Sequence, residues 1–338
     1  MRRVVVTRHG PPEVLRVEEQ PDPAPGEGAV RIRVRAVGVN FADILMRLGL
    51  YPGLPRPPFV PGLEVAGRVD GTGGGVGGLA DGDRVVALMP LGAYADLVVC
   101  PASRVFRAPA GLSDAEAAAV PVAYATAALA LHTLANLAPG ETVLVQNAGG
   151  GVGTAAVQLA KLRRAIVIGT ASAAKHPALQ GLGVDHLVDY RHEPVAEAVR
   201  RITRGRGVDV VLDPIGGESI AAGYRLLAPL GRLVTFGLSS AVAGERRSLR
   251  RAFRAWRRQP RFTPLGLMRD NRAVIGLSLG NLLGEPRLAS VMRDLSADFE
   301  TRRLRPVVSR VFPLERAADA HRFVHARRNV GKVVLVVD

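Results

Sequence analysis

Apolar and polar residues alternate from Val30 to Val37 (VRIRVRAV), the period of a strand with one buried face and one wet face. Turn-forming clusters recur at 21–28, 52–62 and 71–83, so residues 1 to 110 are expected to be β-rich. Residues 113 to 137 are alanine-rich and helical in pattern, with Ser113 as the N-cap and Glu116 three residues on, the signature of a capping box. The periodicity then changes. Apolar runs at 142–146, 165–169, 208–212 and 231–236 alternate with helical stretches, which predicts a parallel sheet of βαβ units. A further run, Ala273 to Leu277, extends that sheet, and the tail 301–338 returns to mixed structure ending in Lys332-Val333-Val334-Leu335-Val336-Val337.

The strongest chemical signal lies in ETVLVQNAGGGVG (141–153) and the TAAVQLAKL that follows it. An apolar run ends in a glycine-rich turn that opens a helix-forming segment, the layout of a dinucleotide-binding unit. Gly150, Gly151 and Gly153 let the backbone approach a pyrophosphate, and the free N–H groups of the new helix then face the anion. Gly73, Gly75 and Gly78 match the bare spacing GxGxxG of such sites. LADGDRV follows them instead of a helix, and no clear strand-length apolar run precedes them, so they are expected to form a flexible surface loop.

At 338 residues, one large or two medium domains are expected. The formal charge of +15 comes from arginine, lysine appearing only at 161, 175 and 332. Taken alone it points to nucleic acid or an anionic surface. In a chain where Ala, Gly and Pro are abundant as well, compositional drift accounts for it. Cys100 is the only cysteine, which excludes an intrachain disulfide and a multi-cysteine zinc site and fits a reducing, cytoplasmic compartment. The apolar run in MRRVVVTRHG is too short for a signal peptide, and Ala117 to Leu131 is too short and too interrupted to span a bilayer.

An NAD site carries an acidic residue about 20 positions after the glycines. Here the second strand ends Ile168-Gly169-Thr170-Ala171-Ser172-Ala173-Ala174-Lys175, with no carboxylate. A hydroxyl at Ser172 and a charge at Lys175 suit a 2′-phosphate, so NADP(H) is expected.

GVNFADILMRLGLYP (38–52), PGLEVAG (61–67), GDRV (82–85), NAGGGVGTAAVQLAK (147–161), GTASAAKH (169–176), DPIGG (213–217), GRLVTFG (231–237) and NVGKVVL (329–335) together resemble the zinc-free quinone oxidoreductases of the medium-chain dehydrogenase/reductase superfamily. GTASAAKH, NRAVIGLSLG (271–280) and the Arg/Trp segment between them most resemble the synaptic-vesicle membrane protein branch. The resemblance implies an α/β chain with a GroES-like β-rich catalytic domain (1–123), a Rossmann doubly wound parallel-sheet domain binding NADP(H) (124–280), and a return segment completing the first domain (281–338).

It also implies site residues. Asn40 and Tyr51 would line the substrate side of the nicotinamide cleft and Thr126 would sit beside the nicotinamide. Gly150, Gly151 and Val152 would meet the pyrophosphate. Ser172, Lys175 and Tyr190 would hold the 2′-phosphate, and Phe236, Gly237 and Asn329 would contact the nicotinamide end. Where zinc-dependent alcohol dehydrogenases have a cysteine and a histidine ligand, this chain has Asn40 and Leu63, with Glu64 retained, and it lacks the structural-zinc lobe. No zinc is therefore expected. Leu45 stands where some quinone reductases have a second tyrosine, and Asn147 replaces the usual Gly or Ala before the phosphate loop.

Without a metal, the simplest reaction is hydride transfer to a conjugated acceptor, a quinone or an enone, which needs no Lewis acid. Asn40 would hydrogen-bond the developing oxyanion and Tyr51 would donate the proton. The alternatives are an enoyl reductase of polyketide or acyl metabolism, and an NADPH-responsive protein that binds a membrane or RNA. The segment RRSLRRAFRAWRRQPR (246–261), a basic amphipathic helix, would carry that last role, although a lid or dimer helix is the plainer reading. The resemblance further implies a homodimer through edge pairing of Ala273–Leu277. His321 and His325 lie four apart on one helical face without a third ligand and are expected to be surface histidines.

Overall fold

The computed structural model describes residues 1–242, 244–245 and 248–337, apart from the side chains of Leu249, Arg251 and Ala252. The chain is α/β and forms two compact units. One comprises residues 1–125, 244–247 and 279–338, the other 126–243 and 248–278.

The first unit is the GroES-like, β-rich one. Its seven-stranded sheet runs in the order Val308–Pro313, Lys332–Val336, Ala29–Val39, Glu64–Thr72, Arg84–Leu88 and Val105–Arg107, with Leu97–Pro101 also paired to Ala29–Val39. The alternation that predicts Ala29–Val39 is real: Val30, Ile32 and Val34 are buried, and they meet Val65, Val69, Val85 and Leu335 in one core. Glu64–Thr72 is a strand that its glycines conceal. Gly67 is needed there because a Cβ would lie 2.2 Å from Arg33 O of the paired strand. The Gly73–Gly78 run is a loop as expected, but this strand does precede it.

Register places three polar residues side by side. Val39 faces Val333 on one side of the long strand, and Val37 faces Val65 on the other. The next residue outward in each case brings Asn40, Lys332 and Glu64 to one end of the sheet.

The second unit is a Rossmann sheet of six parallel strands. The order is His186–Val188, Ile166–Thr170, Thr142–Val145, Val208–Asp213, Leu227–Thr235 and Ala273–Gly276, or 3-2-1-4-5-6 in chain order. His186–Val188 has only three residues and no apolar run to announce it. The alanine-rich segment begins with the expected capping box at Ser113 and Glu116. Its helix stops at Ala118, a second runs Pro121–Ala128, and a π-turn covers Leu129–Leu134. A proline at the first helical position restarts the helix here. No helix among the described residues is long and apolar enough to cross a membrane.

Candidate active site

Each unit holds candidate site residues of its own. In the Rossmann unit, Thr142–Val145 ends at the point where strand order reverses, which is where ligands bind in doubly wound sheets. Asn147 starts the turn with φ 54°. Asn is among the few residues with a side chain that tolerate this left-handed conformation. Its N–H donates to Thr170 Oγ1 at 3.1 Å, and the N–H of Ala148 donates to Thr170 O at 3.0 Å. Gly150 is the N-cap of the 12-residue helix Gly151–Leu162, and no side chain caps it. Gly153 is sterically required, since a Cβ there would lie 2.3 Å from Asn147 O, and a Cβ on Gly150 would crowd the Asn147 side chain, 2.8 Å from Nδ2. Gly150, Gly151 and Val152 thus open an uncapped helix end beside a backbone with no room for side chains, a cradle that fits a pyrophosphate.

Lys175 is buried, and its aliphatic stem packs over Gly149, 2.7 Å from where a Cβ would be. Its charge therefore sits at the glycine turn. Ser172 caps the short turn Ala173–Lys175, its carbonyl accepting from Lys175 N at 2.9 Å. The fold also brings a carboxylate to this loop that spacing does not reveal. Asp189, beyond the third strand, accepts from Ala173 N at 3.1 Å, Arg191 N at 3.0 Å and His192 Nδ1 at 2.8 Å. His192 and these backbone donors hold its carboxyl down to about 2. Its oxygens are turned to the protein, while its neighbour Tyr190 is exposed. Phe236 and Gly237 lie just beyond Leu227–Thr235, locked to the next loop: Phe236 N donates to Asp213 O at 3.1 Å, and a Cβ on Gly237 would meet Pro214 O at 2.4 Å. Thr126 is buried in the helix Pro121–Ala128.

In the GroES-like unit, Asn40 caps the helix Phe41–Arg47 through a capping box with Asp43. Its side chain is gripped from two sides. Lys332 Nζ donates to Asn40 Oδ1 at 2.5 Å, and Asn40 Nδ2 donates to Glu64 Oε1 at 2.8 Å and to Gly38 O at 3.3 Å. Lys332 and Glu64 form a buried ion pair at 2.5 Å, and the other Glu64 oxygen accepts from Val122 N at 2.7 Å. Gly38 leaves room for this carboxylate, since a Cβ there would lie 2.4 Å from Glu64 Oε1.

A second buried chain adjoins the first. Arg47 Nε donates to His321 Nδ1 at 3.3 Å, His321 Nε2 lies 3.0 Å from Tyr94 Oη, and Tyr94 Oη lies 3.0 Å from Asp43 Oδ2. All four side chains are fully buried, so the expectation of a surface histidine fails for His321: its helical face turns inward, onto Tyr94. Burial, with Arg47 and His325 nearby, holds its imidazole well below the usual range. Burial pushes the Asp43 carboxyl up to about 7, against the opposing pull of Asn40 N–H, Lys332 and Tyr94. Tyr51 is half-buried, its hydroxyl 3.6 Å from where a Cβ on Gly280 would lie. Burial and the charge of Asp43 both raise its phenol. Asn329 turns the chain into Lys332–Val336, its Nδ2 donating to Gly331 O at 2.8 Å.

Lys332, Asp43, Tyr94 and His321 are the polar groups that sequence reasoning misses. Lys332 left one signal: in a chain with only three lysines, one of them heads the apolar run KVVLV.

Two family models match, the alcohol dehydrogenase GroES-like domain at residues 26–110 and the zinc-binding dehydrogenase at 182–335. The rat synaptic vesicle membrane protein VAT-1 homolog is 42% identical over 340 residues, covering 99% of this chain and 84% of that protein. The chain belongs to the quinone-oxidoreductase-like medium-chain dehydrogenase/reductases, beside the VAT-1 homologs. Its Rossmann unit is the NADP(H)-binding fold of that superfamily, and it is an oxidoreductase by family. Solved structures match over nearly all of both chains, among them the following three. Mycobacterial Rv1454c complexed with NADPH has a TM-score of 0.87 at 33% identity, covering 99% of this chain and 100% of that one. A mycobacterial quinone oxidoreductase has 0.82 at 33%, covering 99% of each chain. The JamJ enoyl reductase has 0.88 at 28%, covering 100% and 99%.

The second model's description names zinc, and the residues here do not fit it. Asn40 offers no thiolate, Leu63 no imidazole, and Glu64 is bound to an ammonium. Among the described residues no group of three or more His, Cys, Asp or Glu could hold a metal ion.

Proposed function

We propose that this protein reduces a quinone or an α,β-unsaturated carbonyl with NADPH, and does so without zinc. One observation carries the reading: an uncapped, glycine-lined helix start with the buried Lys175 packed over it, while the Asp189 carboxylate of the adjoining loop is taken up by protein donors. That chemistry recognises a dinucleotide with an extra phosphate. Gly150, Gly151 and Val152 would hold the pyrophosphate, and Ser172, Lys175 and Tyr190 the 2′-phosphate. Thr126, Phe236, Gly237 and Asn329 would bound the nicotinamide. The cofactor supplies a hydride, and the chain supplies orientation and charge stabilisation. Tyr51 would protonate the reduced acceptor and Asn40 would steady the oxygen that gains charge. Leu45, where some quinone reductases carry a second tyrosine, would make the acceptor pocket less polar.

The similarity to an enoyl reductase keeps a β-carbon of an acyl enone within the same chemistry. Turnover of NADPH against a 1,4-quinone, a short enone and an enoyl thioester ranks these acceptors. Activity with none of them, in protein that binds NADPH, refutes the reading.

A second reading, contact with an anionic surface, draws on one observation. In the helix Leu249–Arg257, Phe253 and Trp256 are 60% and 64% exposed and stack at 5.7 Å among arginines. Residues 246 and 247 of the basic run, and the side chains at 249, 251 and 252, lie outside the described residues. Salt-sensitive binding to anionic vesicles or RNA that Trp256→Ala abolishes would support it. A homodimer through the edge strand Ala273–Gly276 and a cytoplasmic location complete the proposal. A monomeric mass in solution rules out the dimer.

A further inference from the structure

Asn40, Lys332 and Glu64 make a closed triangle of polar contacts, all three residues at most 9% exposed. The two amide hydrogens of Asn40 are bound unequally. One is held by a carboxylate at 2.8 Å, whereas the other rests on Gly38 O at 3.3 Å, a long bond that an anionic oxygen can displace. Its carbonyl oxygen takes a short bond from an ammonium. A cation on an amide oxygen draws electron density from the nitrogen and makes its remaining N–H a stronger donor.

We infer that Lys332 is a positioning and polarising residue of the reduction, acting through Asn40, with Glu64 as the counter-charge that lets an ammonium stay buried. The inference rests on the NADPH-dependent reduction proposed above. In that reaction the acceptor takes a hydride at carbon from NADPH, its conjugated π-bond is consumed, and the electron pair arrives on its oxygen. A proton then completes the reduced product. Asn40 is the group that meets the charged oxygen, and Lys332 fixes which amide edge faces it. An ion pair with only a structural role predicts something different, because neutralising both partners together removes any unpaired buried charge.

The test uses the full chain. The parent is first assayed with NADPH and the best acceptor, since a parent that turns over nothing refutes the proposed function and not the polarising role. Lys332→Met combined with Glu64→Gln is then compared with Lys332→Met alone, Lys332→Arg and the parent. The readouts are thermal unfolding, NADPH binding by fluorescence, kcat and the acceptor KM. The inference predicts that the double variant folds and binds NADPH like the parent while kcat falls roughly 10²-fold, as on loss of one oxyanion donor. The acceptor KM stays within about twofold, as when only transition-state binding is removed. Lys332→Arg should recover part of kcat. Parental kcat in the double variant overturns the inference. If the double variant does not fold, Lys332→Met alone decides: a fall in kcat of about 10-fold or more with unchanged NADPH binding and acceptor KM, recovered in part by Lys332→Arg, supports the inference, and any smaller fall overturns it.

Discussion

The hydroxyl of Tyr94 lies 3.0 Å from Nε2 of His321, and this contact fixes the direction of a buried hydrogen-bond chain. A guanidinium only donates, so His321 Nδ1 accepts from Arg47 and the ring proton sits on Nε2. That proton goes to Tyr94 Oη, whose own proton goes to Asp43 Oδ2. Asp43 in turn accepts from Asn40 N at 2.8 Å, so the chain ends on the residue that starts the candidate catalytic helix.

Tyr94→Phe keeps the ring and removes the link. It strands the His321 N–H and leaves Asp43 with one donor fewer, in a region closed to water. The expected cost is about 1–3 kcal/mol of stability, measured by urea unfolding at pH 8. A change below a few tenths would contradict the directed chain.

Asp43 and His321 give opposite pH slopes. The carboxyl of Asp43 rises to about 7 in the fold, where it is surrounded by Tyr94, Lys332, Glu64 and the Asn40 N–H. Between about pH 4 and 7 the folded state therefore holds a proton the unfolded state has lost, and stability falls as pH climbs through this window. His321, facing Arg47 and His325, is held neutral, so below about pH 6.5 only the unfolded state takes the proton, and stability falls as pH drops. Unfolding curves from pH 4.5 to 8 separate the two. The parent should lose ground against Asp43→Asn as pH rises, and gain ground against His321→Gln. Two flat differences would show that neither group is perturbed.

The fold was readable from periodicity. Alternation located Ala29–Val39, and apolar runs with a glycine turn located the parallel sheet, because burial on one face or both leaves a period in the chain. The same logic hid Glu64–Thr72, whose glycines answer to a neighbouring backbone, and His186–Val188, too short to show a period. Gly150, Gly151 and Lys175 were visible because phosphate chemistry is local. The network around Asn40 was not. Its partners come from residues 64, 94, 321 and 332, and only strand register brings them together. Distance in sequence likewise concealed Asp189 at the Ser172–Lys175 loop.

Gly153 and Gly77, one from each glycine-rich run, differ in what surrounds them. Gly153→Ala would push a methyl to within 2.3 Å of Asn147 O and should weaken NADPH binding at least about tenfold, or 1.4 kcal/mol, in a fluorescence titration. Gly77→Ala, with nothing within 4 Å and an ordinary backbone, should leave binding and stability unchanged. Equal effects would deny the phosphate cradle.

Lys175→Met keeps the stem over Gly149 and removes the charge. NADPH binding should weaken about tenfold or more, the scale of one charge-assisted phosphate contact, while NADH binding stays level. Parallel losses for both cofactors would assign Lys175 a structural role instead.

Metal-free hydride transfer is the claim on which the rest depends. Chelator-treated protein is given NADPH carrying two deuterium atoms at C4 of the nicotinamide together with an α,β-unsaturated ketone, and the product is weighed by mass spectrometry. One deuterium at the β-carbon, at a rate unchanged by chelator, is the expected result. Unlabelled product, or activity that vanishes with chelator and returns with added zinc, would contradict it.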